Sequence, residues 1–210
     1  MRITKAIKQE MLDILEKHYK NTTTALNYST PFELLIAVVL SAQCTDIRVN
    51  IITARMFPKY NTPEQFLALG QPGLEQEIRD CGLFRSKAKN IIATCEILCQ
   101  EYGGQVPNRF EDLVKLPGVG RKTANVLLSQ LFGVPAIAVD THVFRVANRL
   151  NLAIGDTPLA VEQGLMKAIA KEKWSDAHHW LIWHGRKVCK ATNPACNICP
   201  LNNLCPSSKN

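Results

Sequence analysis

The sequence predicts an all-α protein made of two helical domains. Apolar residues recur at helical spacing along most of the 210 residues, and no segment convincingly shows the alternation typical of a strand. Glycine and proline interrupt the helical segments repeatedly, which divides them into about ten helices. Composition changes near residues 21–28 and again near 133–135, and we expect the domain borders there.

Caps and breakers place the helices in order along the chain. Apolar side chains at helical spacing predict the first helix over residues 5–19. Thr30, Pro31 and Glu33 then supply an N-cap, a proline at the first helical position and a capping-box glutamate. The run over 34–42 is apolar all round and predicts a central buried helix. The remaining helices are expected at 46–57, 62–70, 74–80, 86–102, 109–115, 121–132, 141–150, 158–170 and 175–188.

Composition and charge exclude some classes of protein and favour others. With 46% hydrophobic and 20% charged residues, the chain is not intrinsically disordered. Its longest unbroken apolar run, Leu34 to Leu40, has seven residues, whereas a membrane-spanning helix needs about 20. The formal net charge of +7 favours a polyanionic partner. The N-terminal pattern is amphipathic and contains acidic residues, unlike a signal or transit peptide, so we expect a prokaryotic cytoplasmic protein.

The eight cysteines fall into two groups. Four are scattered through apolar or helical segments and are expected to be small core residues: Cys44, Cys81, Cys95 and Cys99. Four crowd into 17 residues near the C-terminus: Cys189, Cys196, Cys199 and Cys205. Without a secretion signal, four thiolates at this density indicate metal ligation rather than disulfides. Their spacing matches neither a ferredoxin nor a zinc ribbon, so on chemistry alone zinc and an iron–sulfur cluster fit equally well.

The stretch from Leu116 to Ala124 joins two helical segments through a Gly-x-Gly turn. Gly118 and Gly120 permit positive φ and let a foreign backbone approach closely. Amides exposed at the start of the second helix, together with its dipole, form a pocket for an anion, and Arg121 adds positive charge. Nucleic-acid phosphate suits such a pocket, because phosphate contacts position a protein without reading sequence. On spacing alone, a plain helix–helix turn capped by glycine is an equal alternative.

Two side chains are candidates for chemistry. Lys122 lies in the first turn of its helix, where the dipole disfavours an ammonium and partial burial would disfavour it further. A neutral lysine amine can form a Schiff base, although spacing alone favours a solvated lysine that only contacts phosphate. Asp140 either caps the next helix, which spacing favours, or lies near Lys122 and stabilises positive charge or moves a proton. His142 is expected to be structural.

Six segments carry a family resemblance through their order and spacing. They are Pro31–Ala37, Leu40–Asp46, Leu116–Ala124, Ala138–His142, His178–Ile182 and the Cys-x6-Cys-x2-Cys-x5-Cys loop. Together they resemble the endonuclease III family of DNA glycosylases with AP lyase activity, and the resemblance covers about residues 11–205. The cysteine spacing matches that family's [4Fe-4S] loop, so the resemblance favours iron over zinc.

The resemblance implies two helical domains on either side of a DNA-binding groove. A six-helix domain would span residues 25–134 and contain a helix-hairpin-helix at about 108–132. A second domain would join the N-terminal helix, within residues 1–24, to residues 135–210. This domain would hold the [4Fe-4S] cluster on the four cysteines of loop 189–205.

The resemblance also implies roles for single residues. Lys122 falls on the family's Schiff-base lysine and Asp140 on its catalytic aspartate. Gln43 matches the residue that fills the gap left by a flipped nucleotide, and Leu83 matches the one that wedges beside the estranged base. The remaining implied DNA contacts come from the hairpin and the cysteine loop: Gly118, Val119, Gly120, Arg121 and Lys190.

The chain departs from the family pattern at two places. Phe84 follows the wedge leucine where the family often has tyrosine, so a hydroxyl is missing. The segment 190–195 holds Lys190 as its one basic residue where relatives can hold two. The second departure bears on how strongly the cysteine loop contacts DNA.

The implied activity is base-excision repair of damaged double-stranded DNA. The protein would remove oxidised or ring-saturated pyrimidines and cleave 3′ to the abasic site by β-elimination through a Lys122 Schiff base. We expect a monomer associated with the nucleoid and not with a membrane. Three alternatives stay open. One is a monofunctional relative such as the adenine-mismatch glycosylase, against which Lys122 argues. The others are a non-catalytic helix-hairpin-helix DNA-binding module and an electron-transfer protein.

Overall fold

The computed structural model describes residues 3–208, and in that range the chain forms ten α-helices and no strand, which confirms the all-α prediction. The helices are α1 (Lys5–Tyr19), α2 (Pro31–Leu40), α3 (Asp46–Met56), α4 (Pro63–Glu77), α5 (Phe84–Glu101), α6 (Phe110–Leu113), α7 (Arg121–Phe132), α8 (Thr141–Arg149), α9 (Pro158–Ala168) and α10 (Trp174–Lys187). Short 3₁₀ turns cover Lys171–Lys173 and Cys196–Ile198. None of the helices in the described range is long and apolar enough to span a bilayer. The predicted segments 1–24 and 135–210 extend beyond this range, since residues 1–2 and 209–210 are not described.

The chain divides into two compact units, each with its own hydrophobic core. The first, the hairpin unit, runs from Ala25 to Phe132 and contains α2 to α7. The second, the cysteine unit, combines the residues up to Thr24 with those from Gly133 onward. Within the cysteine unit α10 packs against both α1 and α8, and α9 packs against α8. The N-terminal helix therefore completes the core of the C-terminal segment.

Helix α2 is the centre of the hairpin unit. Every side chain from Leu34 to Leu40 is buried, as the all-apolar sequence predicts, and α3, α5 and α7 pack against the helix. Thr30 caps it, since its Oγ1 accepts a hydrogen bond from the Glu33 amide at 3.1 Å. The Glu33 carboxylate in turn accepts from the Ser29 amide at 2.6 Å. In the predicted capping box, the Glu33 side chain would accept from the N-cap amide of Thr30. Here it accepts from the residue before the cap instead.

Helix α4 bends at Gly70, whose φ of 71° and ψ of 168° are not helical. The sequence predicts two helices here, one ending near residue 70 and the next beginning at residue 74. In the structure the second half already includes Pro72 and Gly73, and it ends at Glu77 rather than at residue 80. Proline fits this position because the first turn of a helix leaves its N–H groups without helical partners.

Candidate functional site

The Gly-x-Gly turn between α6 and α7 is anchored in the core of the hairpin unit. Val119 is buried, and its N–H donates to the Leu116 carbonyl at 3.0 Å. Gly118 has a φ of 81°, which a residue with a Cβ rarely adopts. A Cβ added at Gly120 would meet nothing within 4 Å. Burial of the Val119 side chain therefore holds the backbone before α7 in place. The backbone at Gly120 is open to a ligand.

Arg121 and Lys122 occupy the first turn of α7, and both are exposed. The Arg121 guanidinium lies over the Phe110 ring, 5.1 Å from its centroid, which keeps this charge beside the turn. Lys122 is exposed rather than partly buried, so its amine is accessible to a large ligand that docks on the turn. The N-terminal end of α7 adds its dipole to the two cations, so this surface attracts anions.

Two further turns of the hairpin unit lie side by side. Gln43 and Leu83 both have left-handed backbone, with φ of 52° and 58°, which costs a non-glycine residue roughly 1–2 kcal/mol. A Cβ added at Gly82 would lie 3.2 Å from the Gln43 carbonyl oxygen, so the two turns are in contact. Gln43 is exposed and Leu83 is 57% exposed. An exposed leucine on strained backbone favours a role in binding over a role in packing.

Asp140 belongs to the cysteine unit and caps α8, which is the role that its spacing in the sequence favours. Its Oδ1 accepts a hydrogen bond from the Val143 amide at 2.8 Å, and its backbone is extended. The cap uses one carboxylate oxygen, so the second role considered for Asp140 is compatible with the first. His142 has a structural contact, since its Nδ1 lies 3.2 Å from the Arg145 guanidinium.

The four C-terminal thiols line one cavity of about 200 Å³. Within the described residues, no three His, Cys, Asp or Glu side chains are gathered tightly enough to hold a single metal ion. A zinc ion would need the sulfurs within about 2.3 Å of one point. Four thiols around a wider cavity instead suit a cubane-type iron–sulfur cluster, whose ligands are also four cysteines.

Two arginines of α8 hold the start of the cysteine loop. The Arg149 guanidinium donates to the Lys190 carbonyl at 2.7 Å and to the Ala191 carbonyl at 3.0 Å, and its Nη1 lies 3.4 Å from Cys189 Sγ. Arg145 Nε donates to the Cys189 carbonyl at 3.0 Å. Neither arginine is among the residues predicted to be functional, and the sequence offers only their spacing of four on one helix as a signal. Both guanidinium groups donate to loop carbonyls, whereas the Lys190 side chain within the loop is exposed and accessible to a ligand.

A buried polar chain links the cavity to α1. The Tyr19 hydroxyl lies 3.1 Å from His184 Nδ1, and His184 Nε2 lies 3.8 Å from Cys199 Sγ. Burial raises the pKa of Tyr19 to about 12 and lowers the pKa of His184 to about 4, so both groups are neutral at pH 7. Burial also raises the pKa of the Cys199 and Cys205 thiols, so these become thiolates when a metal centre supplies positive charge.

Two protein-family models match the chain. One is described as HhH-GPD superfamily base excision DNA repair protein, and it matches residues 36–171. The other is described as the iron-sulfur binding domain of endonuclease III. It matches residues 189–205, which is the span of the four clustered cysteines.

Known proteins are similar to the chain over nearly its whole length. Endonuclease III of Rickettsia conorii is 55% identical over 95% of this chain and 95% of its own. Endonuclease III of Escherichia coli K12 is 50% identical over 97% of this chain and 96% of its own. Among solved structures, a trapped endonuclease III–DNA covalent intermediate in an estranged-adenine complex has a TM-score of 0.94 at 52% identity. That similarity covers 98% of this chain and 97% of the other.

The two glycines of the turn differ in what an added methyl group would meet. At Gly118 the left-handed φ is strained for alanine, and the new Cβ would lie 3.3 Å from the Asn90 amide nitrogen. We expect Gly118→Ala to lower the free energy of unfolding by about 1–3 kcal/mol. Gly120→Ala has open space and should lower it by less than about 1 kcal/mol. Urea denaturation of both variants measures the difference, and equal losses would contradict the described turn.

Proposed function

Since the chain belongs to the HhH-GPD superfamily of base excision DNA repair proteins, and within it to the endonuclease III family, we propose that it is a bifunctional DNA glycosylase and AP lyase. Its substrate is duplex DNA with an oxidised or ring-saturated pyrimidine, or with a base-free site. The observation that carries the proposal is Lys122, an accessible amine in the first turn of α7 directly beyond an open Gly-x-Gly turn. A protein 52% identical to this chain is known as a trapped covalent intermediate with DNA.

The hairpin is proposed to bind the phosphate backbone. The open backbone at Gly120 allows close approach, and the N-terminal end of α7 attracts an anion. Arg121 beside Phe110 supplies a fixed positive charge, and Lys190 offers a second contact from the cysteine loop. Such contacts position the duplex without reading its sequence, which suits an enzyme that must find damage in any context.

The turns of Gln43 and Leu83 are proposed to occupy the space that a flipped nucleotide leaves. Chemistry at the sugar C1′ requires the nucleotide to leave the stack, at a cost of a few kcal/mol that is lower at a damaged pair. An exposed glutamine can donate and accept hydrogen bonds to the partner base, and an exposed leucine can wedge beside it. The contact between their two turns lets both side chains enter one gap.

Lys122 and Asp140 are proposed to perform the chemistry. The Lys122 amine attacks C1′, the C1′–N bond breaks, and the base leaves with the bonding electron pair and a proton. The Asp140 carboxylate stabilises the positive charge that develops on the sugar, accepts the proton that the attacking amine loses and passes it to the departing base. Ring opening gives a Schiff base, and loss of a proton from C2′ then expels the 3′ phosphate by β-elimination. Water hydrolyses the imine and restores the lysine.

The cofactor is a [4Fe-4S] cluster, bound by the iron–sulfur domain over residues 189–205. We assign its four ligands to the thiols that line the cavity: Cys189, Cys196, Cys199 and Cys205. When bound, the cluster supplies no step of the sugar chemistry. The chain's own residues around the cavity, above all Arg149 and His184, orient the loop that presents Lys190.

We further propose that the two units are the functional domains, with borders near residues 24–25 and 134–135 and a helix-hairpin-helix over about 108–132. The hairpin unit would bind and flip the nucleotide, and the cysteine unit would supply Asp140 and Lys190. One chain carries all these groups, so we propose a monomer. We place it at the nucleoid in a prokaryotic cytoplasm, where its duplex substrate lies.

Borohydride trapping tests the nucleophile. With duplex DNA that contains an abasic site, the protein should form a reduced covalent adduct on Lys122, because the hydride reduces the imine. Lys122→Ala should lose both the adduct and strand cleavage by orders of magnitude. Arg121→Ala is the matched control, because it should weaken binding yet still form the adduct. A monofunctional glycosylase would release base without an adduct, and a non-catalytic module would do neither.

Substitution of Asp140 separates its two roles. Asparagine caps helices as well as aspartate does, so Asp140→Asn should change the free energy of unfolding by less than about 0.5 kcal/mol. The same change removes the carboxylate charge and should slow base release by about 100-fold or more. Thermal denaturation and single-turnover kinetics measure the two effects. An Asp140→Asn protein with normal base release would refute the catalytic assignment.

Iron analysis tests the ligand assignment. The isolated protein should contain about four irons and matching acid-labile sulfide. Cys199→Ala should lose most of this iron, whereas Cys99→Ala should retain it because Cys99 lies outside the cavity. Stoichiometric zinc in a colourless protein, or equal iron loss in both variants, would overturn the assignment.

A further inference from the structure

Two of the scattered cysteines lie at the base of the turns that carry Gln43 and Leu83. Cys81 is 2% exposed, and its Sγ lies 3.3 Å from the Leu40 carbonyl oxygen at the end of α2. The Lys87 side chain, 5% exposed, donates to the same carbonyl at 2.9 Å and lies 3.1 Å from Cys81 Sγ. The mechanism proposed above uses neither the buried thiol nor the buried amine.

Cys44 approaches this pair from the neighbouring turn. The peptide between Gln43 and Cys44 faces the segment of Cys81 and Gly82, because a Cβ at Gly82 would lie 3.2 Å from the Gln43 carbonyl oxygen. The segments that carry Cys44 and Cys81 are therefore in contact, and Cys44 adds to burial in raising the pKa of the Cys81 thiol. Cys44 is only partly buried, so a small oxidant can reach its sulfur more readily than that of Cys81.

The surroundings of Cys81 favour its use as a nucleophile once a partner is oxidised. Burial raises the pKa of its thiol, and the nearby Lys87 ammonium opposes that shift. Burial shields this thiol from oxidants in bulk solvent, and the Lys87 amine 3.1 Å from its sulfur stabilises the thiolate when an adjacent sulfur is oxidised. In a reducing compartment such pairs act transiently, as redox-sensing sites.

We propose that Cys44 and Cys81 form a reversible disulfide when a hydroperoxide oxidises the protein, and that this bond weakens binding to damaged DNA. Hydrogen peroxide converts the Cys44 thiol to a sulfenic acid and releases one water. The Cys81 sulfur then attacks the Cys44 sulfur, the S–S bond forms, and the sulfenic oxygen leaves as a second water with the Cys81 proton. The two thiols lose two electrons, and the peroxide gains them.

The effect on DNA binding rests on the proposed function of the two turns. A disulfide restrains the Cα atoms of its cysteines to about 4.4–6.8 Å. Bond formation also moves Cys81 Sγ away from Lys87 and the Leu40 carbonyl, which are its present contacts. The turns of Gln43 and Leu83 would then be tied to each other and unable to separate around a partner base.

The bond can be detected without any activity. The holoprotein is treated with hydrogen peroxide, blocked with iodoacetamide and digested with trypsin under non-reducing conditions. Trypsin releases Cys44 in the peptide 21–48 and Cys81 in the peptide 80–85. We expect a linked species, lighter than the two peptides by two hydrogen atoms, that thiol reductant abolishes and Cys44→Ala lacks. Separate oxidation of the two cysteines, or an oxygen-bridged product of Cys81 and Lys87, would overturn the proposal.

DNA binding is measured on the same samples with a duplex that carries a stable abasic-site analogue. We expect oxidation to weaken binding about ten-fold, reductant to restore it, and Cys44→Ala to keep full affinity after peroxide. If peroxide lowers the DNA affinity of the Cys44→Ala protein equally, the effect belongs to the cluster. That result would overturn the proposal that the disulfide weakens DNA binding. A reduced protein that never binds the duplex would refute the proposed function instead, while the peptide assay still decides whether the bond forms.

Discussion

The burial of α2 is the constraint on which the hairpin unit depends. Because all side chains from Leu34 to Leu40 are excluded from water, the helix cannot turn or slide without exposing apolar surface, at roughly 2 kcal/mol for each large side chain. Its last turn supports the three turns of the hairpin unit that are proposed to touch DNA. Val39 lies 3.6 Å from where a Cβ of Gly118 would be. The Leu40 carbonyl accepts from Lys87, and the chain leaves α2 directly into the turn of Gln43. One packed helix therefore sets the positions of three turns.

Helix α8 has a comparable position in the cysteine unit. Asp140 caps its first turn, and Arg145 and Arg149 hold the start of the cysteine loop from its other half. Nine residues at about 1.5 Å each make a rigid link of about 13 Å between the proposed catalytic carboxylate and the loop. Occupation of the cavity by the cluster therefore stabilises the same helix that orients Asp140.

The sequence predicts most of the helices well because their ends carry explicit signals. Thr30 with Pro31 and Gly103 after α5 are examples, and most predicted bounds lie within two residues of the observed ones. The helix end that the sequence predicts near residue 70 coincides with the bend of α4 at Gly70. Pro72, which the predicted helices exclude, lies in a first turn that needs no N–H donor. The left-handed backbone of Leu83 carries no sequence signal, because leucine rarely adopts it. The contacts of Arg149 and of Lys87 join residues far apart in the chain, so spacing could not reveal them.

Both proposed catalytic residues lie at the N-terminal end of a helix. Asp140 is the N-cap of α8, and Lys122 lies in the first turn of α7. The positive end of a helix dipole stabilises an anion and repels an ammonium. At these two helix starts the Asp140 carboxylate accepts from the Val143 amide, and the exposed Lys122 side chain follows the open backbone of Gly120. A base that accepts a proton and an amine that attacks carbon are the two forms that the proposed reaction needs at its start. Both positions follow from helix geometry, since each residue is placed by the start of its own helix.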